Sequence, residues 1–293
     1  MAIHFQIIRN GDLYSASADN GPPFEVGKRV SYGNKKTGQR TYGLANDSSA
    51  FARRFLYTAA AYSAAHPFWA DFIEPTAICE GQSFITLNTY DRARFTFGFA
   101  QFAAHVPNGD FVLWFRDMLR LPDAANYFPD LEVSNGHICK VSNSQVTPFE
   151  DANSTTALQT YLNPTLDVVE DDEVVAAARF IYWTIQNADT RELQVNRMVS
   201  VARGLIRAAD RRLGLNCKSA LECCIIFDIL HQGRAHYSDM EQALLKSDPV
   251  AALLEVGSIS EPGRCANLKM ALTPARRGVL NGRSWNSAAQ DFN

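Results

Sequence analysis

No stretch of this 293-residue chain approaches the roughly 18 uninterrupted apolar residues that a spanning helix needs, so no membrane span is expected. Cysteine is sparse. The six cysteines, Cys79, Cys139, Cys217, Cys223, Cys224 and Cys265, lack the density of a disulfide framework and the spacing of a zinc site, and reduced thiols are expected. Charge of one sign is also lacking: 28 basic residues face 31 acidic ones, a net of −3, which provides no broad positive field for phosphates and excludes nucleic acid as the expected partner. The N-terminus turns polar by Arg9-Asn10-Gly11-Asp12, without the basic leader and sustained apolar stretch of a secretory signal, so the chain is expected to be made in the cytoplasm. There is no Gly-x-Ser-x-Gly, no phosphate-cradling loop, no dinucleotide fingerprint and no regular spacing among the six histidines; neither cofactor nor metal is expected.

What is present is an ordinary globular balance, 46% hydrophobic and 20% charged, enough for a substantial core. Residues 1–46 are rich in Gly, Asn, Ser and Thr, with short β-like pieces, and read as an irregular N-terminal extension. Residues 47–133 read as a catalytic lobe. It opens on the cap Asp47-Ser48-Ser49, includes a short buried helix ending at Glu80 and a hairpin or extended loop over 83–97, and continues with helices at 98–104 and 110–119. Residues 134–170, with Asn135-Gly136 and a polar run from Ser142 to Thr147, read as a linker or cleft loops. From Asp171 to residue 293 the pattern is helical, with Asp171-Asp172-Glu173 complementing a helix start and Gly214, Gly233 and Gly257 as stops. The fold class expected is therefore mainly α (α+β), two-lobed, with a small β element beside a cleft.

The chemistry concentrates around Glu80. A carboxyl at the end of an apolar helix is desolvated and stays protonated more readily, as a glycosidase acid requires. Asp91, displaced by a loop, is the candidate second carboxylate that activates water or stabilises charge at the sugar. Alternatives stand beside these readings: Glu80 as a solvated helix end, and Asp91 as a turn residue pairing with Arg92 or Arg94. Asp228 and His231 share a helix face, which fits a buried, hydrogen-bonded Asp better than a metal pair. Phe95, Phe97, Phe99, Phe102, Trp114 and Phe115 supply core or sugar-stacking rings. Arg203, Arg207, Arg211 and Arg212 form a stripe along one helix.

The segment Ala77-Ile78-Cys79-Glu80-Gly81, followed by Gly98-Phe99-Ala100-Gln101, resembles the lysozyme superfamily, including goose-type lysozymes and lytic transglycosylases. Asp91 through Phe102 is similar to the Asp-x-x-x-aromatic-Thr-x-Gly-x-x-x-Phe pattern of bacterial chitosanases. Tyr127-Phe128-Pro129-Asp130-Leu131 and the helix ending Asp228-Ile229-Leu230-His231-Gln232-Gly233 extend that similarity, with the last Gln and His reversed. The resemblance covers residues 50–131 and 217–256. It implies a lysozyme-like fold, Glu80 as acid, Asp91 as its partner, and Gln101, Thr96, Tyr90 and Phe99 as substrate contacts. By chitosanase spacing Glu74 matches the acid better, but it precedes a proline and lacks the Glu-Gly helix end.

The function expected is hydrolysis of β-1,4 links in an amino-sugar polymer. Peptidoglycan comes first, as for a muramidase-type effector or endolysin carried to the periplasm or wall by a secretion system or phage lysis, with delivery machinery or an immunity protein as partners. Chitosan comes second, because a polycation favours a strongly acidic cleft and no such bias is visible. A non-catalytic glycan-binding or structural protein, and a toxin with another target, are the competing classes.

Overall fold

The computed structural model describes residues 1–33, 38–143 and 145–293. Residues 34–37 of the expected extension and Ser144 of the expected linker lie outside the described residues. The chain forms two compact units, both discontinuous: Met1–Leu56 with Ser83–Gln194, and Tyr57–Gln82 with Val195–Asn293. These divisions differ from the consecutive segments expected at 47–133, 134–170 and 171–293.

The expectation of a mainly α, lysozyme-like fold is corrected. Among the described residues helix accounts for 44% and strand for 19%, and a seven-stranded antiparallel sheet organises the first unit, so the fold is mixed α+β. The sheet is a meander of β1 (Phe5–Asn10), β2 (Leu13–Ala18), β3 (Phe24–Gly33), β4 (Arg40–Ala45), β5 (Leu87–Asn88), β6 (Thr96–Phe97) and β7 (Phe102–Ala103). Residues 1–46, expected to be irregular, supply its four long strands. The alternation in Leu13-Tyr14-Ser15-Ala16 was the available signal: Tyr14 and Ala16 are buried, and a bulge between Tyr14 and Ser15 shifts the pairing with β3. The helix expected over 98–104 is absent. Gly98 has φ +89 and turns the chain from β6 into β7, and a Cβ there would collide with the Gln194 side-chain carbonyl.

The Asp171–Gln186 helix packs its apolar face against β1, β2 and β3. Phe180 on this helix lies 4.8–5.4 Å, centroid to centroid, from Phe95, Phe97, Phe115 and Phe128, forming an aromatic centre with Trp114. Glu173 points inward rather than serving the helix start. It is fully buried and accepts a hydrogen bond from the Thr89 hydroxyl, while Thr89 accepts from the Leu44 N–H at 2.6 Å. The expected linker is also structured. Asn135-Gly136 turns β8 (Leu131–Ser134) into β9 (His137–Ser142), and β10 (Gln145–Pro148) completes a three-stranded sheet. Buried Glu150 holds this sheet to the Asp110–Met118 helix by accepting two hydrogen bonds from Arg116, at 2.6 and 3.0 Å, and one from the Ile138 N–H at 2.7 Å.

In the second unit the Ala220–Gln232 helix is the buried axis, opened by a reciprocal Ser219/Glu222 capping box. It packs against Trp69–Cys79, Pro249–Glu255 and Pro274–Asn281. Phe72 lies 5.8 Å from Phe227 and 5.1 Å from both Trp69 and Phe292, the latter on a C-terminal hairpin of β11 (Trp285–Asn286) and β12 (Asp291–Phe292). Two arginines of the stripe pack on rings: Arg203 stacks on Trp69 at 4.8 Å and Arg212 on Tyr237 at 4.5 Å. Among the described residues no helix is long and apolar enough to cross a membrane.

Candidate active site

Glu80 sits where the sequence places it, capping the Trp69–Cys79 helix with its N–H bonded to the carbonyls of Thr76 and Ala77, both at 3.1 Å. Its surroundings differ from the apolar wall expected. Glu80 Oε1 accepts from Arg264 Nη1 at 2.7 Å, and His231 Nε2 lies 3.9 Å away. Arg264 also donates to Asp228, Nη2 to Oδ1 at 2.6 Å and Nε to Oδ2 at 3.3 Å. Asp228 accepts a further bond from Arg234 Nη1 at 2.7 Å. Asp228 and Arg234 are wholly buried, Arg264 is 9% exposed and Glu80 17%, so any ligand reaching this network meets Glu80 before the buried pair.

The network holds because each buried charge has counter-charge in hydrogen-bond geometry. Burial pulls the Arg264 pKa down, but the hydrogen bonds and charge of Asp228, then the charge of Glu80, push it up and prevail, so Arg264 stays a cation. Arg234 also donates from Nε to the Val256 carbonyl at 3.1 Å. Gly257, at φ +81, lies against it, and a Cβ there would come within 2.8 Å of the Arg234 stem. Burial, and then the charge of Asp228, push the neighbouring Cys79 thiol up to about 12, which leaves it a poor nucleophile.

The other residues singled out in the sequence fall in two places. Glu74 is on the Glu80 helix, but Oε2 accepts from Arg276 Nε at 2.7 Å and Oε1 from the Ala59 N–H at 3.0 Å, so it ties the start of the Ala59–Tyr62 helix. Asp91 belongs to the first unit, and its carboxylate closes its own turn: Oδ1 accepts from the Ala93 N–H at 2.8 Å and Oδ2 from Asn88 Nδ2 at 3.1 Å. Tyr90 stands beside it, 6.4 Å from the Tyr32 ring, with its pKa raised by burial and then by Asp91. Thr96 is buried in β6, opposite Asn88 and Ala103. Phe99 is wholly buried, edge-to-face on Phe84 at 5.2 Å, so its ring is core and offers no face to a sugar. Gln101 is half-buried in the turn before β7, at φ +54.

Arg234 and Arg264 were not singled out in the sequence. The available signal was Asp228: a carboxylate within the apolar run Cys223–Leu230 demands cations from elsewhere in the chain. Which arginines answer is a matter of tertiary structure, since Arg264 and Glu80 are 184 positions apart. Among the described residues no group of His, Cys, Asp and Glu is arranged to hold a metal ion. No family model, curated protein or solved structure matches this chain.

Proposed function

We propose that this protein is a glycoside hydrolase acting on an amino-sugar polymer, with Glu80 as the general acid. The observation that carries the proposal is the setting of Glu80: a helix-end carboxylate, mostly shielded from water, oriented by an arginine that a buried aspartate fixes in turn. A general acid must be held at one position and meet its substrate in a partly dry environment, and the Arg264–Asp228–Arg234 chain supplies that rigidity. Peptidoglycan is the first substrate and chitosan the second. Incubating purified protein with each polymer and measuring new reducing ends tests this. Release from bacterial walls supports the order, release from chitosan alone reverses it, and release from neither overturns the enzyme reading.

A second reading, a glycan-binding protein without hydrolysis, is favoured by one observation: the Asp91 carboxylate is committed to its own turn. Saturable binding to the polymers without reducing-end release would establish it.

A further inference from the structure

In the first unit the Asp171–Gln186 helix presents Asp172, Val175, Ala176 and Arg179 to a cleft of about 710 Å³, faced by Lys140 from β9, Phe149 and Tyr161. That volume is in the range of small-molecule sites, roughly 300–1,000 Å³. Asp172 and Arg179 are two helical turns apart, roughly 10 Å at 1.5 Å per residue, which accommodates a pyranose ring with a charged substituent.

One end of the cleft is internally compensated. Tyr161 Oη donates to Asp130 Oδ1 at 2.9 Å and accepts from Arg179 Nη1 at 3.0 Å, and Arg179 lies 3.9 Å from Asp130. Asp172, exposed in the first turn of its helix, faces the positive end of that helix. Lys140 is different. Its ammonium lies 6.0 Å from the Phe149 ring centre and 5.9 Å from that of Tyr161, with no carboxylate or hydrogen-bond acceptor paired to it among the described residues. The two rings are 5.3 Å apart at 52°, each half-buried, and both line the cleft beside the Lys140 ammonium; sugar C–H groups pack on aromatic surface of this kind.

We infer that this cleft binds a saccharide bearing a carboxylate, with Lys140 pairing the carboxylate and Phe149 and Tyr161 holding the ring. The choice of a sugar rests on the glycan reading above, and the unpaired cation selects an acidic glycan over polycationic chitosan.

The test is titration of the full-length protein with N-acetylmuramic acid, N-acetylglucosamine and glucosamine, followed by NMR chemical-shift changes. These monosaccharides contain no glycosidic bond, so binding is read independently of hydrolysis. The expected result is saturable binding strongest for N-acetylmuramic acid, about three- to fivefold over N-acetylglucosamine and weakest for glucosamine, the size of one partly exposed ion pair. Lys140→Met, which keeps most of the apolar stem, abolishes the preference, and Lys140→Arg retains it, with thermal midpoints reporting that both variants fold. Equal binding of N-acetylmuramic acid and N-acetylglucosamine, no saturable binding of any of the three, or a preference that survives Lys140→Met overturns the inference. If wild type releases no reducing sugar yet binds N-acetylmuramic acid selectively, the hydrolase reading fails and the cleft stands. Hydrolysis without that selectivity removes the cleft alone.

Discussion

Asp228 shows how much one side chain organises. It is wholly buried and accepts from two arginines, and removing it leaves both without their shared counter-charge. Asp228→Ala should therefore cost about 3–5 kcal/mol in urea unfolding, the scale for stripping one partner from a buried ion pair. Glu80→Gln keeps a hydrogen-bond acceptor beside Arg264 on the better-exposed side of the network and should cost about 1–2 kcal/mol. Similar losses in the two variants would contradict the division into a structural aspartate and a functional glutamate. At this scale the sequence was informative where the constraint is local. The Glu-Gly helix end at Glu80 and the isolated Asp228 in an apolar run are visible as residue types in context. The apolar surroundings expected for Glu80 were not found, because Arg264 approaches from a helix far along the chain. Phe99 shows the same limit in reverse: its ring could have faced a sugar or the core, and packing against Phe84 assigns it to the core.

At the scale of elements, the Asp171–Gln186 helix was legible from its acidic start and apolar period, but its partner was not. Sequence pattern alone does not distinguish a helix that packs on helices from one that packs on a sheet, and the long strands under it lay in a segment whose glycines and polar residues read as irregular. The buried Glu173 marks that junction. Burial raises its pKa from 4.5 to about 7, against the lowering effect of the Thr89 hydroxyl bond. In the folded state it therefore holds its proton at a pH where the unfolded chain has lost it. Its contribution to stability is full below about pH 4.5 and is lost as pH rises through about 7, on the order of 3 kcal/mol. Urea midpoints between pH 5 and 8 should show this decline for wild type and a flatter profile for Glu173→Gln. A wild-type midpoint that rises through pH 7, or equal slopes in the two proteins, would show that Glu173 is not the group responsible.

The whole molecule carries its two units on interrupted chain, the least legible property, since composition and turn signals mark only consecutive segments. The second unit takes Trp69, Phe72 and Glu80 from the stretch Tyr57–Gln82 and the rest from Val195–Asn293. A fragment of residues 195–293 lacks Trp69 and Phe72, which pack on Phe292 and, for Phe72, on Phe227, so it should show no cooperative urea transition by circular dichroism; a sharp transition would mean that this segment has a sufficient core of its own. For function, the central claim is that Glu80 delivers the proton. Its most direct test is reducing-end release from peptidoglycan and chitosan by wild type and Glu80→Gln side by side, with Glu74→Gln and Asp91→Asn as companions. The account expects Glu80→Gln to fold and to lose roughly 10²–10⁴-fold in rate on whichever polymer wild type cleaves, while Glu74→Gln remains active. Full activity in Glu80→Gln would contradict it.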